Sequence, residues 1–104
     1  MFVIENKEQL EELRKSGKIV VLDFWAEWCS QCKMMFKGLE QVENELSDKV
    51  VVAKVEADKV QDLAKEYGVR NLPSLFILDE EKIVANKAGM QPPVMLKQWI
   101  ENNI

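Results

Sequence analysis

Ile19-Val20-Val21-Leu22-Asp23-Phe24-Trp25-Ala26-Glu27-Trp28-Cys29-Ser30-Gln31-Cys32-Lys33 is the stretch from which the rest of the chain can be read. Ile19 to Trp25 is almost continuously apolar, as expected of a central strand covered on both faces. Cys29 and Cys32, the only two cysteines, stand where that strand gives way to a helical pattern. A helix N-terminus offers unpaired N–H groups and the positive end of the helix dipole, both of which favour a thiolate. A C-x-x-C in this position suits thiol–disulfide exchange, with Cys29 as the nucleophile and Cys32, one turn further in, as the resolving thiol.

Working outward, Cys32, Met35, Phe36, Leu39, Val42 and Leu46 recur at three- and four-residue steps and predict an amphipathic helix to about Leu46. Phe2-Val3-Ile4 is a short strand candidate, and Lys7 to Lys15 a charged surface helix with Leu10 and Leu13 inward, stopped by Gly17. Val50 to Glu56 predicts a second interior strand, and Val60, Leu63, Ala64 and Tyr67 a short helix ended by Gly68. Leu75–Leu78 and Ile83–Ala85 flank Asp79-Glu80-Glu81-Lys82, which predicts a hairpin on a four-residue turn. Pro92-Pro93 starts a last helix with Met95, Leu96, Trp99 and Ile100 on its apolar side. The order β-α-β-α-β-α-β-β-α implies an α/β fold with a mixed sheet, parallel in its first part, between layers of helices.

A chain of 104 residues fits one domain, 1–104, with no linker, repeat or low-complexity segment. A net charge of −4, without a basic face, argues against nucleic acid as a partner. No apolar run approaches the roughly 20 residues that span a bilayer, so no membrane partner is expected. The N-terminal residues lack the pattern of a secretory signal, which points to the cytoplasm, where a C-x-x-C is more often redox or metal chemistry than a structural bridge. Structural zinc takes four ligands, whereas this chain offers two thiols and no histidine, leaving only a dimer-bridged metal or iron–sulfur site on that side.

Several separated motifs, in order, resemble the thioredoxin family. Leu22-Asp23-Phe24-Trp25-Ala26-Glu27-Trp28-Cys29 resembles the strand and turn leading into its active site, and Ala53-Lys54-Val55-Glu56-Ala57-Asp58 its third strand. Tyr67-Gly68-Val69-Arg70-Asn71-Leu72-Pro73-Ser74 resembles the loop ending in the family's cis-proline, and Gly89 the glycine after the last strand. The resemblance implies a thioredoxin fold, a mixed five-stranded sheet sandwiched by four helices. Two departures stand out: Ser30-Gln31 replaces the usual Gly-Pro between the cysteines, and Lys37-Gly38 occupies the region of the usual helix proline.

Asp23 interrupts an apolar strand, and a buried carboxylate is costly unless paired. Burial should raise its pKa and make it an acceptor for the Cys32 proton, the role the resemblance also implies. Lys54 is a candidate partner for Asp23 from the neighbouring strand; the alternation alone allows an outward lysine equally, and the resemblance favours pairing. Pro73 alone reads as a strand-start proline; the resemblance implies a cis bond facing the cysteines, with Leu72 offering backbone groups to an extended substrate. Trp28 is assigned to shielding the sulfurs and to the docking surface, together with Gly89 by resemblance, while Trp25 fits core or site and Trp99 packing. Met35 belongs to the buried stripe, and Met34 is either a partner contact or ordinary surface. Lys33 reads as a solvated charge, and Ser30 and Gln31 as potential donors to the Cys29 sulfur.

The sequence therefore points to a thiol–disulfide oxidoreductase reducing protein disulfides through Cys29 and Cys32, with no bound cofactor and acting as a monomer. The resemblance implies an NADPH- or ferredoxin-linked thioredoxin reductase as electron source. The rivals are a binding or assembly module with incidental cysteines and the dimer-bridging metal site.

Overall fold

In the computed structural model, which describes residues 1–104, the chain forms five strands and four helices. They are β1 (Phe2–Ile4), α1 (Lys7–Arg14), β2 (Ile19–Trp25), α2 (Ser30–Glu45), β3 (Val50–Glu56), α3 (Gln61–Glu66), β4 (Ser74–Asp79), β5 (Lys82–Ala88) and α4 (Pro93–Glu101). The order agrees with the sequence reading. The sheet runs β1-β3-β2-β4-β5, with β1, β3 and β2 parallel, β4 antiparallel to β2 and β5 antiparallel to β4. This is the thioredoxin topology, with β2 in the middle.

The near-continuous apolar character of β2 follows from that position, because both of its faces are covered. Val20, Leu22 and Phe24 join Leu10 and Leu63 in a core beneath α1 and α3. Val21 faces the other way, into a core with Met35, Leu39 and Val42 of α2 and Leu96 and Ile100 of α4. Strand alternation therefore aims Asp23 at the α2 side.

Helix α2 approaches α4 closely where Gly38 meets Pro93: a Cβ at Gly38 would lie 3.2 Å from the proline Cγ. Glu43, further along α2, accepts a hydrogen bond from the Val52 N–H at 2.7 Å and so satisfies a β3 donor just outside the three-residue β1 ladder.

Two details differ from the sequence reading. The hairpin turn is shorter than four residues, because Asp79 and Lys82 pair across the strands and only Glu80 and Glu81 remain to turn, Glu80 at φ +53°. Opposite charges at Asp79 and Lys82 suit a cross-strand pair as well as a loop. In α4, Leu96 and Ile100 are buried, but Met95 is half exposed, since the helix is covered on one side only.

Candidate active site

Cys29 is the N-cap of α2: its backbone is extended, and its Sγ accepts a hydrogen bond from the Cys32 N–H at 3.2 Å. A sulfur thus takes the place that a serine or aspartate oxygen ordinarily fills at a helix start. The two cysteines form a disulfide, with Cα atoms 5.3 Å apart. Cys32 is fully buried and Cys29 retains a little exposure, 7%. Attack from outside can therefore reach only the Cys29 sulfur.

Around this pair, Ala26 and the half-buried Trp25 and Leu72 complete a small apolar cluster. The Leu72–Pro73 peptide bond is cis. The carbonyl of Pro73 accepts the Gly89 N–H at 2.8 Å, so the end of β5 is tied to the proline loop. Gly89 sits at φ +95°, a conformation that glycine adopts without a Cβ penalty. The Leu72 N–H and C=O have no partner in the chain. A shallow depression of about 390 Å³ runs past Trp28, Arg70, Asn71 and Leu72.

Trp28 is 72% exposed, and its indole N–H donates to Asp58 Oδ2 at 2.9 Å. That bond fixes the ring direction, and nothing in the sequence marks Asp58 for it, because the contact crosses thirty positions. Met34 is exposed and Met35 buried, as their helical phase requires. Lys33 is not an isolated charge: its Nζ lies 3.0 Å from Glu27 Oε1, so the rim charges cancel in an exposed ion pair. The Cys29 sulfur receives its bond from the Cys32 backbone, while the Ser30 and Gln31 side chains are exposed and make no bond to it.

Asp23 is the only charged side chain in the core, with no exposed surface and no hydrogen-bond partner on either oxygen. Loss of solvation pushes its carboxyl pKa up to about 8, against the opposing pull of the Lys54 charge. Lys54 is directly beside Asp23 in the β2–β3 register, yet the two form no ion pair. The ammonium instead lies over the Phe36 ring, 4.2 Å from its centroid, and 5.4 Å from that of Trp25. Register is legible in sequence; the direction of a flexible stem is not, and Phe36 carried no signal beyond its place in the apolar stripe. No group of three or more histidine, cysteine, aspartate or glutamate side chains is placed to hold a metal ion.

The thioredoxin family profile matches residues 1–102. The chain belongs to the thioredoxin family. A thioredoxin of Bacillus subtilis is 31% identical over 104 residues, covering all of both chains. One of Rickettsia bellii is 35% identical over 101 residues, 97% of this chain and 96% of that protein. Among solved structures, a mutant thioredoxin from Halobacterium salinarum superposes with a TM-score of 0.91 at 29% identity, covering 98% of this chain and 88% of that one. Thioredoxin membership and the Cys29–Cys32 disulfide together support thiol–disulfide oxidoreductase activity in general, with proteins and a reductase as its partners in general terms.

Proposed function

We propose that residues 1–104 act as one thioredoxin domain that reduces disulfides in protein substrates. The observation that carries this reading is the asymmetry of the sulfurs, with Cys29 accessible at the α2 N-cap and Cys32 sealed behind it. In the reduced protein the Cys29 thiolate attacks one sulfur of a substrate disulfide. An S–S bond to Cys29 forms, and the other substrate sulfur leaves as a thiolate and takes a proton from water. Cys32 then attacks the Cys29 sulfur and passes its proton to Asp23. The mixed disulfide breaks, the second substrate sulfur leaves as a thiolate and takes a proton from water, and the Cys29–Cys32 disulfide remains. Two electrons have moved from the protein to its substrate.

A carboxyl group that titrates near the working pH exchanges protons readily in both directions, which is why the raised pKa of Asp23 supports this role. Lys54 modulates that carboxylate through its charge. The substrate lies as an extended segment against Leu72, whose free backbone groups support strand addition, with Trp28, Pro73 and Gly89 framing the groove. An NADPH- or ferredoxin-linked reductase returns the electrons, and the protein works as a monomer in the cytoplasm.

Insulin reduction with dithiothreitol tests the proposal. Cys29→Ser removes turnover, and Cys32→Ser accumulates a covalent mixed disulfide through Cys29. Turnover surviving in Cys29→Ser refutes the assignment and leaves a binding module as the reading.

A further inference from the structure

The Lys54 ammonium occupies a position that its neighbours in the strand register do not explain. Lys54 sits beside Asp23, and a lysine stem is long and flexible enough to set its ammonium against an adjacent carboxylate. Neither Asp23 oxygen receives that contact. What holds the ammonium is a pair of rings from two different elements: Phe36 on α2 and Trp25 at the end of β2, packed edge to face with centroids 5.1 Å apart. The Phe36 centroid is 4.2 Å from Nζ, well inside the range at which a ring's negative face attracts a cation.

The other charges near this face are already engaged or turned away. Glu56, two residues along β3, pairs with Lys59 at 3.5 Å. On β5, Lys87 lies over the Trp99 ring, 5.9 Å from its centroid. On α2, Lys33 pairs with Glu27 and Lys37 is exposed, while both cysteines are tied up in the disulfide. Across the sheet on β4, the residue opposite Asp23 is the apolar Leu75. Lys54 is thus the one cation whose charge bears on Asp23.

We propose that Phe36 is a positioning residue: with Trp25 it holds the Lys54 ammonium on the aromatic faces and off Asp23, leaving the carboxylate a strong base rather than half of an ion pair. A carboxylate bound to an ammonium is a weaker acceptor for the Cys32 proton, because protonation would first have to give up that pairing. A groove of about 210 Å³ that opens onto Lys54 and Trp25 gives the ammonium its other face to water. The arrangement therefore keeps a charge close to Asp23 without neutralising it.

The inference deepens the proposed proton-accepting role of Asp23. Its test reads the carboxyl group without turnover, so failure of one is distinguishable from failure of the other. The Asp23 side-chain carbon is followed by NMR through a pH titration of the oxidised protein, in which neither cysteine titrates. In Phe36→Leu the released ammonium pairs with Asp23, and the midpoint falls by about one unit or more. Phe36→Tyr keeps a ring at the position and keeps the wild-type midpoint. In a Lys54→Met background, Phe36→Leu moves nothing. Phe36→Met stands in for Phe36→Leu should the latter not fold. A wild-type midpoint in the folded Leu or Met variant overturns the proposal. So does an equal shift when Lys54 is methionine, since that would assign the effect to packing alone.

Discussion

Replacing Asp23 with asparagine should make the oxidised protein more stable, and by an amount that depends on pH. The carboxyl is fully buried without a hydrogen-bond partner, and loss of solvation lifts its pKa from 3.8 to about 8. Between those two values the native state holds a proton that the unfolded chain has released. Stability therefore falls as pH rises: the contribution of Asp23 is fully present below its unfolded pKa and is lost as pH rises through the folded one. At about 1.4 kcal/mol per unit, the whole interval corresponds to about 6 kcal/mol, of which about 4 kcal/mol is already lost at about pH 7. Against the roughly 5–15 kcal/mol that holds a typical domain folded, that is a large fraction. Asparagine has the same shape and cannot ionise, and its buried amide resembles the protonated acid in lacking partners. The two proteins should be comparable near ~pH 4 and separate steadily above it, asparagine gaining about 4 kcal/mol by about pH 7. Urea unfolding at a series of pH values, followed by tryptophan fluorescence, gives both curves. The exposed carboxylates titrate alike in both proteins and cancel in the difference. Parallel stability curves would refute the reasoning, because they would mean that Asp23 ionises in the native state as easily as in the unfolded one.

Two further outcomes follow from the geometry around α2. Ser30→Gly combined with Gln31→Pro should make the midpoint potential more negative by about 30 mV, because proline removes a first-turn N–H that favours the Cys29 thiolate. Equilibration against glutathione measures it, and an unchanged or less negative potential contradicts the argument. Gly38→Leu should destabilise the fold by about 1–3 kcal/mol in urea unfolding, since even a Cβ would come within 3.2 Å of Pro93 Cγ. A neutral result would mean that α4 moves aside at little cost.

The order of elements along the chain and the covering of the sheet by helices were legible because periodicity reports burial, and burial is what the sheet imposes on β2 and β3. Ile19 to Trp25 is apolar on both faces because helices cover both. The position of the cysteines at a strand-to-helix junction was legible for the same reason. What the sequence concealed lies in contacts between distant side chains. Asp79 and Lys82 look like turn residues by composition, yet the ladder extends through them. The ion pair of Lys33 with Glu27 and the indole bond of Trp28 to Asp58 depend on how the loops before and after the site fold back. Lys54 is the sharpest instance. Its strand register with Asp23 is a backbone property and could be inferred, whereas the destination of its ammonium depends on an aromatic ring that α2 brings over the sheet.

The sulfur of Cys29, the attacking atom of the proposed reaction, is also the acceptor that closes the first turn of α2. Most helix starts are held by a side chain that takes no part in chemistry. Here the bond is made by the sulfur of the disulfide itself, and a thiolate at the same N-cap would be a stronger acceptor for the same N–H. The proposed reaction therefore runs at an atom that also holds the helix start, so the chemistry and the scaffold that positions the second sulfur share one hydrogen bond.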